Sequence, residues 1–460
     1  MSKVKSKRIE GKSRKDLDIL VEELEGRLDS FDGDQRKAAL LELCEKVAAG
    51  KVDLPESGTD VNIHCHTFFS YNTYGYSPSK FAWLARKRGL GVAGVVDFDV
   101  LDALEEFLDA CRLLGLKGCA GLESRVFVPE FADKVINSPG EPGISYHMGV
   151  GFPSATVPDD QQDFLAGLRE TAQGRNQGLM ARVNVHLRPV ELDYERDVRV
   201  LTPSGNATER HMCLAYARKA MDVLGDADKA ADFWSEKLGV ELTACEMPES
   251  RGLLDAIRAK TMKRGGVGYV EPDHGSFPRM ADTNSFILAS GGIPVHTWLD
   301  GTSDGEQEIE GLLDVAVSTG AAAINVIPDR NYTPGSADVK LKNLYHVVEV
   351  AQKRHLPVVM GTEMNSPGQK FVDDFQSEEL KPLAPVFLKG AQIVYAHSVL
   401  QRGSGLGYTS EWAGKSFDSV ADKNEFFEEL GSSLQPGEED DLNGLSDDVT
   451  AREILDKISA

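Results

Sequence analysis

Histidine and acidic residues recur in the sequence where short apolar segments end. In His64-Cys65-His66, a single residue separates two imidazoles. Residues i and i+2 of a β-strand face the same side, so both rings can reach one ion while the cysteine faces away. Four further residues follow later apolar segments: Glu123, His147, His296 and Glu363. Imidazole and carboxylate groups together are ligands for zinc, iron or manganese, so the sequence predicts a metal site.

Alternating apolar and helical segments predict the elements that position these residues. Eight segments have the composition of short strands: Val61–Ile63, Gly91–Val96, Gly118–Leu122, Ile144–Tyr146, Ile293–Val295, Ala322–Ile327, Leu356–Met360 and Ile393–Tyr395. Such alternation is typical of βα units around a parallel sheet, and seven or eight strands are enough to close a barrel. The carboxyl ends of parallel barrel strands open onto one face, so the histidines and acids are expected to converge there. The same rule would place His397, after the last segment, on that face, although packing is favoured for it.

Changes of pattern divide the chain into five predicted segments. Apolar residues between Arg14 and Ala49 recur at helical spacing, which predicts two amphipathic helices that serve packing or homo-oligomer contacts. The acidic stretch after Pro436 predicts a solvated linker before a terminal helix from about Val449. The segments are an N-terminal helical extension (1–55), a first barrel part (56–150), a mostly helical insertion (151–267), a second barrel part (268–405) and an acidic, partly disordered C-terminal extension (406–460).

The overall charge restricts the class of partner. The 460 residues carry a net charge of −23, and 41% of them are hydrophobic. An acidic surface repels phosphate backbones and argues against general nucleic-acid binding, although a local basic pocket can still bind a small phosphorylated ligand. The six cysteines include no C-x-x-C pair, and about 18 consecutive apolar residues occur nowhere, so we expect a cytoplasmic protein with no membrane span.

Six ordered motifs resemble those of the polymerase and histidinol phosphatase (PHP) family. They are His64-Cys65-His66-Thr67-Phe68-Phe69-Ser70, Gly94-Val95-Val96-Asp97-Phe98-Asp99, Gly121-Leu122-Glu123, His147-Met148-Gly149-Val150-Gly151-Phe152, Gly291-Gly292-Ile293-Pro294-Val295-His296 and Gly361-Thr362-Glu363-Met364-Asn365. The resemblance covers roughly Val61 to Pro367. It implies an α/β fold, a distorted TIM-like (β/α)7 barrel with an inserted helical subdomain, and metal-dependent phosphoesterase activity.

The resemblance also implies which residues hold metal ions. One ion would be bound by His64, His66, Glu123 and Glu363, the last standing where the family has a shorter aspartate. A second ion would share Glu123 and add His147 and His296. The family's third ion has no ligands here, because Asn72, Phe98 and Asn365 occupy the corresponding positions. The sequence therefore predicts two divalent ions, zinc, manganese or iron.

This pair of ions would support hydrolysis of a small phosphorylated metabolite or nucleotide. A hydroxide held between two cations can attack phosphorus, while the ions polarise the phosphoryl oxygens. Arg210, His211 and Arg175 in the insertion are candidates to bind the phosphate. Asp97 and Asp99 are candidate catalytic residues that orient an imidazole or the attacking water.

Several alternatives remain open. Asp97 and Asp99 are also typical of helix caps, and the Arg210-His211 pair is also typical of a helix surface. The loss of the third ligand set fits an inactive PHP-like binding or scaffold protein as well as an enzyme. Hydrolysis of a bond other than a phosphate ester at the same centre is a third hypothesis.

Overall fold

A seven-stranded sheet forms the centre of the molecule. The computed structural model describes residues 14–271, 275–331 and 338–458. Its strands are β1 (Val61–Cys65), β2 (Val92–Phe98), β3 (Lys117–Phe127), β4 (Ile144–Val150), β5 (Ile293–Thr297), β6 (Ala323–Val326) and β7 (Val358–Met360). Neighbours in sequence are neighbours in the sheet. All pairs are parallel except those of β4, which runs antiparallel to both β3 and β5.

Helices surround the sheet and form the terminal segments. The helices before the insertion are α1 (Arg14–Arg27), α2 (Gly33–Ala48), α3 (Pro78–Lys87) and α4 (Leu104–Leu114). The insertion carries α5 (Gln162–His186), α6 (Glu209–Leu224), α7 (Ala227–Leu238) and α8 (Arg251–Ile257). The second barrel part carries α9 (Met280–Ala289), α10 (Asp304–Gln307), α11 (Ile309–Ser318), α12 (Pro328–Asn331), α13 (Asp338–Lys353) and α14 (Ala384–Ser404). The last helices are α15 (Glu411–Ser416), α16 (Val420–Ser433) and α17 (Ala451–Ile458).

The two edges of the sheet meet at Glu363. Its backbone N–H donates to the carbonyl of His64 at 2.8 Å, and its carbonyl accepts from the N–H of His66 at 2.8 Å. Glu363 and Met364 adopt left-handed backbone conformations, with φ of 59° and 55°, which turn the chain after β7 back onto β1. The sheet is thereby nearly closed, and the predicted distorted TIM-like barrel is confirmed.

The predicted eighth strand is a helix. Ile393–Tyr395 lies inside α14, a 21-residue helix that contacts β7, β1, β2 and β3. A helix buried on most sides has no polar face, so a short window of it cannot be distinguished from a buried strand. His397 therefore does not end a strand. It is buried within α14, and its Nδ1 accepts the N–H of Tyr408 at 2.9 Å.

Both terminal segments pack against the barrel. Residues 1–13 and 459–460 lie outside the described ranges. Leu24 of α1, Leu28 just after it and Leu43 of α2 are buried in a core shared with α3 and α4, so these apolar positions are covered within the chain itself. The segment 406–460 was expected to be partly disordered; its described part, 406–458, carries α15, α16 and α17, and Leu434 and Ile454 are buried in the core beside α14.

The insertion has a hydrophobic core of its own. Tyr216, Trp234, Leu253 and Ile257 are completely buried among its helices. This accords with the predicted helical subdomain, whose limits at 151 and 267 stay a prediction. In the described residues, no helix is both long enough and apolar enough to cross a bilayer.

Candidate metal centre

Three predicted ligands converge inside the barrel. His64 and His66 lie at the end of β1, and Glu123 lies in β3 on the same face. The His66 Nε2 atom is 3.1 Å from Glu123 Oε2, and the His64 Nε2 atom is 3.5 Å from it. One ligand atom from each residue lies within 4.8 Å of the other two, and all three residues are at most 1% exposed. Within the described ranges, no other group of three histidine, cysteine or acidic residues meets this distance.

A hydrogen-bonded relay fixes the orientation of His66. Its Nδ1 is 3.2 Å from Ser70 Oγ, and Ser70 donates its own hydrogen to Asp97 Oδ1 at 2.6 Å. Because that hydroxyl hydrogen is used, we infer that Ser70 Oγ accepts a hydrogen from His66 Nδ1. The Nε2 atom of His66 then keeps its lone pair and faces Glu123, as a metal ligand requires.

Asn325, at the end of β6, orients His64 in the same way. Its Oδ1 atom, which can only accept, lies 3.3 Å from His64 Nδ1. The Nε2 atoms of both imidazoles and Oε2 of Glu123 make no well-directed hydrogen bond, despite the short separations. Buried polar atoms without partners are costly, and a cation at their meeting point removes this cost. The three residues therefore fit a divalent metal ion.

The electrostatics of the cluster favour a cation. Burial opposes the charge on Glu123, but the imidazoles of His64 and His66 outweigh it and lower the pKa of Glu123 to about 2. Burial also opposes charge on His64, yet Glu123 raises the pKa of His64 above its ordinary value. The interior thus holds an ionised carboxylate that attracts positive charge, whether from a proton or from a metal ion.

The structure does not assemble the predicted second ligand set. Across β3 and β4, Glu123 is opposite Met148, so these two side chains share one face of the sheet. His147 is the neighbour of Met148 and faces the other side, where it hydrogen-bonds Asn284 of α9. His296 is opposite His147 and shares its face. Glu123 and these two histidines thus lie on opposite sides of the sheet.

The environment of His147 and His296 keeps both rings uncharged. Both are completely buried. Burial lowers the pKa of His147 to about 4, and burial together with His147 lowers that of His296 to about 3. In the described structure no carboxylate forms an ion pair with either ring. His147 Nδ1 and both ring nitrogens of His296 have no hydrogen-bond partner, but the two rings lie on the other side of the sheet from Glu123 and no carboxylate pairs with them in the described residues, so they do not share that carboxylate.

Glu363 is near the cluster but is engaged elsewhere. Its Oε2 atom accepts from Arg330 Nη2 at 2.8 Å and from Gln369 Nε2 at 2.8 Å. Its carboxylate is absent from the group of ligand atoms that lie within 4.8 Å of one another. The predicted fourth ligand is therefore an ion-pair partner of Arg330 in this structure.

Asp97 and Asp99 differ in their surroundings. Asp97 is buried and accepts from the Thr67 N–H at 2.7 Å and from the Thr67 hydroxyl at 2.6 Å, in addition to Ser70. Asp99 has a φ of 62° and accepts from Ser124 Oγ at 2.6 Å. Burial raises the pKa of both carboxyl groups. Neither caps α4, whose first turn follows Ala103.

The three predicted phosphate-binding residues separate into two groups. Arg175 and Arg210 line a cavity of about 740 Å³. Arg210 Nη1 pairs with Asp255 at 2.6 Å, and its Nη2 donates to Ser366 at 3.0 Å. His211 is buried outside the cavity wall and caps α6, because its Nδ1 accepts the N–H of Thr208 at 3.1 Å. Burial lowers the pKa of His211 to about 4, so it is a neutral capping residue.

Phe98 separates the ligand cluster from this cavity. Its ring stacks on His66, with centroids 4.3 Å apart, and also lines the cavity, whereas the three ligands do not. Asn72, at a position where the resemblance implies a ligand of a third ion, instead donates to the carbonyl of His66 at 2.8 Å and so stabilises the loop after β1. Asn365 lines the cavity.

Several cavity residues were not predicted from the sequence. Arg125, Tyr146, Arg258, Lys263 and Arg330 all line its wall. Arg125 follows Glu123 by two residues in β3, so strand alternation is a signal that could have identified it. Tyr146 lies in β4 opposite Arg125, whereas Arg258, Lys263 and Arg330 belong to helical and loop segments that only the tertiary structure brings to the barrel.

Comparisons with known proteins give the chain no family. No family model matches it, and no curated protein matches it. One similar solved structure is an amidohydrolase from Chromobacterium violaceum with bound sulfate and no metal. It is 16% identical in sequence, with a TM-score of 0.48, and the match covers 68% of this chain and 91% of the amidohydrolase. Another, from Bifidobacterium adolescentis, is described as a "putative metal-dependent phosphoesterase"; it has 17% identity, a TM-score of 0.44, and coverage of 73% and 98%. These similarities are too low to assign chemistry, so the resemblance to the PHP family stays a prediction.

Proposed function

We propose that this protein is a metal-dependent hydrolase that cleaves a phosphate ester of a small molecule. The observation that carries the proposal is the buried cluster of His64, His66 and Glu123, whose three ligand atoms lack well-directed hydrogen bonds. We assign one divalent ion, zinc, manganese or iron, to this cluster. The two-ion arrangement is not proposed, because the second ligand set lies on the other face of the sheet.

The residues around the cluster have distinct roles in this proposal. A divalent ion, when bound, supplies Lewis-acid activation of water and of a phosphoryl oxygen. Asp97 acts as a positioning residue through Ser70, which holds the His66 ring. Arg330 and Arg210 line the cavity near Glu363 and offer planar hydrogen-bond donors for phosphate oxygens. These cationic side chains favour a phosphate ester over a neutral amide or ester.

A binding or scaffold role is the second candidate, and one observation favours it. The three ligands are almost completely buried, and the ring of Phe98 lies between His66 and the cavity. An ion in that position would stabilise the barrel without contacting a ligand in the cavity. The two functions differ in whether metal loading produces turnover.

The test combines metal analysis with an activity screen. We would measure the zinc, manganese and iron content of purified protein and its hydrolysis of a panel of small phosphate monoesters, amides and carboxyl esters. His66→Ala and Glu123→Gln are the test variants. His346→Ala and Glu411→Gln are matched controls, because both residues are exposed and far from the cluster in the fold.

We expect about one equivalent of metal and phosphomonoester turnover in the wild type and both controls, with both lost in the test variants. Stoichiometric metal without turnover of any substrate would favour the scaffold function. Hydrolysis of amides or carboxyl esters alone would contradict phosphate specificity. Metal content unchanged in both test variants would contradict the ligand assignment itself.

A further inference from the structure

Four cationic side chains gather on the cavity wall formed by β3 and the insertion. They are Arg125 of β3, Arg175 of α5, and Arg258 and Lys263, which follow α8. Lys263 Nζ is 2.7 Å from Glu209 Oε2, and Arg258 Nε is 3.0 Å from the same oxygen. One carboxylate thus serves two cations. Burial opposes its ionisation, but Lys263, Arg258 and Arg125 outweigh this and lower the pKa of Glu209 to about 2.

Positive charge exceeds negative charge among the ion pairs of this wall. Arg125 pairs with Glu141 at 2.9 Å. Arg175 Nη1 donates to the carbonyl of Ser276 at 2.7 Å, and within the described residues it has no carboxylate in ion-pair contact. Glu141 and Glu209 therefore pair with three of the four cations, while among the described residues Arg175 has no ion pair; Asp99, which also lines the cavity, acts on Arg175 through its charge without a salt-bridge contact. This surplus is unusual in a chain whose net charge is −23.

Arg125 and Arg175 are also held close together. Their guanidinium carbons lie 4.5 Å and 4.4 Å from the centre of the Phe277 ring. Burial and the neighbouring charge of Arg125 lower the pKa of Arg175 to about 10, although Asp99, Glu141 and Glu209 act in the opposite direction. Like charges placed together in a partly buried site repel each other unless an anion lies between them.

This basic wall is separate from the part of the cavity beside the metal ligands. Arg330, Glu363 and Phe98 line the latter part, and Phe98 contacts His66. Tyr146 of β4 connects the two parts, because it is opposite Arg125 in the sheet and its ring centroid lies 6.3 Å from that of Phe98. A ligand that fills the cavity would therefore extend from the barrel mouth to the insertion.

We propose that Arg125, Arg175, Arg258 and Lys263 bind a second anionic group of the substrate, so that the substrate is a small molecule with two separated anionic groups. One would be the phosphate ester near Arg330, and the other a phosphate or carboxylate beside Lys263. The proposal rests on the proposed function for the identity of the reacting group, but not for the presence of the second anion site.

The test measures binding alone, so it does not depend on turnover. Calorimetry on the full-length, metal-loaded protein would compare propane-1,3-diphosphonate with propylphosphonate, which has one anionic group fewer. A third ligand, 3-phosphonopropanoate, distinguishes phosphate from carboxylate at the second position. The test variants are Arg175→Gln, which breaks no ion pair, and Lys263→Met, in which Glu209 is still paired with Arg258. Arg218→Gln, whose guanidinium pairs with Glu249 on the surface, is the control.

The wild type and Arg218→Gln should bind the diphosphonate at least about tenfold more tightly than the monophosphonate, as one added charge-assisted contact requires. Arg175→Gln and Lys263→Met should reduce this preference while leaving monophosphonate affinity unchanged, with thermal unfolding confirming that the variants are folded. Equal affinity for the two ligands in the wild type would overturn the proposal, as would an unchanged preference in both folded variants. If the protein prefers the diphosphonate but hydrolyses no substrate, the second anion site is supported and only the proposed hydrolase function is contradicted.

Discussion

Two pairs of buried histidines in the same barrel differ in their suitability as metal ligands. His64 and His66 face the interior, where Glu123 supplies a negative charge and Asn325 and Ser70 fix the rings. The other pair, His147 and His296, lies on the opposite side of the sheet, where the Asn284 amide of α9 bonds His147, His296 has no hydrogen-bond partner, and no carboxylate is paired with either ring in the described structure. The comparison shows that residue type and burial do not define a ligand. The side of the strand on which each residue lies decides which charges it meets.

The largest difference in zinc affinity between the two histidine pairs should appear when the ligand residues themselves are substituted. Glu123→Gln removes the negative charge of the cluster, so we expect zinc affinity to fall by more than the roughly 10–100-fold typical of losing an outer-shell partner. His296→Asn should leave zinc affinity unchanged. Competition with a chromophoric chelator measures both. Comparable losses in the two variants would show that both pairs bind the ion.

The orienting residues should have the next largest effect. Ser70→Ala removes the acceptor for His66 Nδ1, and we expect zinc affinity to fall by about 10–100-fold. Asn284→Ala removes the corresponding partner of His147 and is the matched control, because it should not change zinc affinity. If Ser70→Ala binds zinc as tightly as the wild type, the relay through Ser70 does not prepare the site.

The pH dependence of folding stability should reveal the neutral state of His296 in the second pair. The pKa of His296 is lowered in the folded protein from 6.5 to about 3, so the unfolded chain takes up a proton first as the pH falls below 6.5. Stability present at neutral pH is therefore lost on acidification towards pH 3. Between pH 7 and pH 5 we expect His296 to contribute a loss of about 1–2 kcal/mol, which His296→Asn should remove.

Urea unfolding at the two pH values, with a chelator present, measures this loss. His346→Asn is the control, because this histidine is exposed on α13 and should leave the pH dependence as it is in the wild type. An unchanged pH dependence in His296→Asn would mean that folding does not lower the pKa of His296.

The smallest effect concerns access to the first pair. Phe98→Ala removes the ring that stacks on His66 and faces the cavity, so zinc should enter faster by a few-fold while its affinity stays near the wild-type value. Stopped-flow measurement of zinc uptake checks this, with the exposed Phe31→Ala as a control. An uptake rate equal to that of the wild type would indicate that ions reach the cluster by another route.

The pairing of His64 and His66 could be predicted from the sequence because its information is local, whereas Glu123 was joined to them through the motif resemblance. The i, i+2 spacing of His64 and His66 at the end of an apolar segment places both rings on one face of a strand. The prediction for His147 and His296 failed for a related reason. Alternation along a strand gives two faces, but the sequence does not say which face is inside, and β4 runs against its neighbours. A shift of one residue in strand register would move His147 and His296 to the opposite face of the sheet.

Longer-range features of the site could not be predicted. Ile393–Tyr395 has the composition of a strand, but its neighbours extend it into the buried helix α14. Glu363, in the turn after β7, was assigned to the metal, yet Arg330 of α12 comes within 2.8 Å of it. Likewise, His211 was assigned to phosphate but caps its own helix.

Composition and local spacing by themselves determined the α/β barrel class, the helical pattern of the insertion and the placement of His64 and His66 on one face of a strand, whereas the motif resemblance supplied Glu123 as their partner. Periodicity and apolar segments act over a few residues, so they are present in any linear stretch of the chain. The tertiary structure alone decided which sheet face is interior, which acid meets which base, and how Arg125, Arg175, Arg258 and Lys263 come to share one wall. These outcomes depend on contacts between segments up to about 300 residues apart, as between His64 and Glu363, and such contacts form only when strands pair and helices pack.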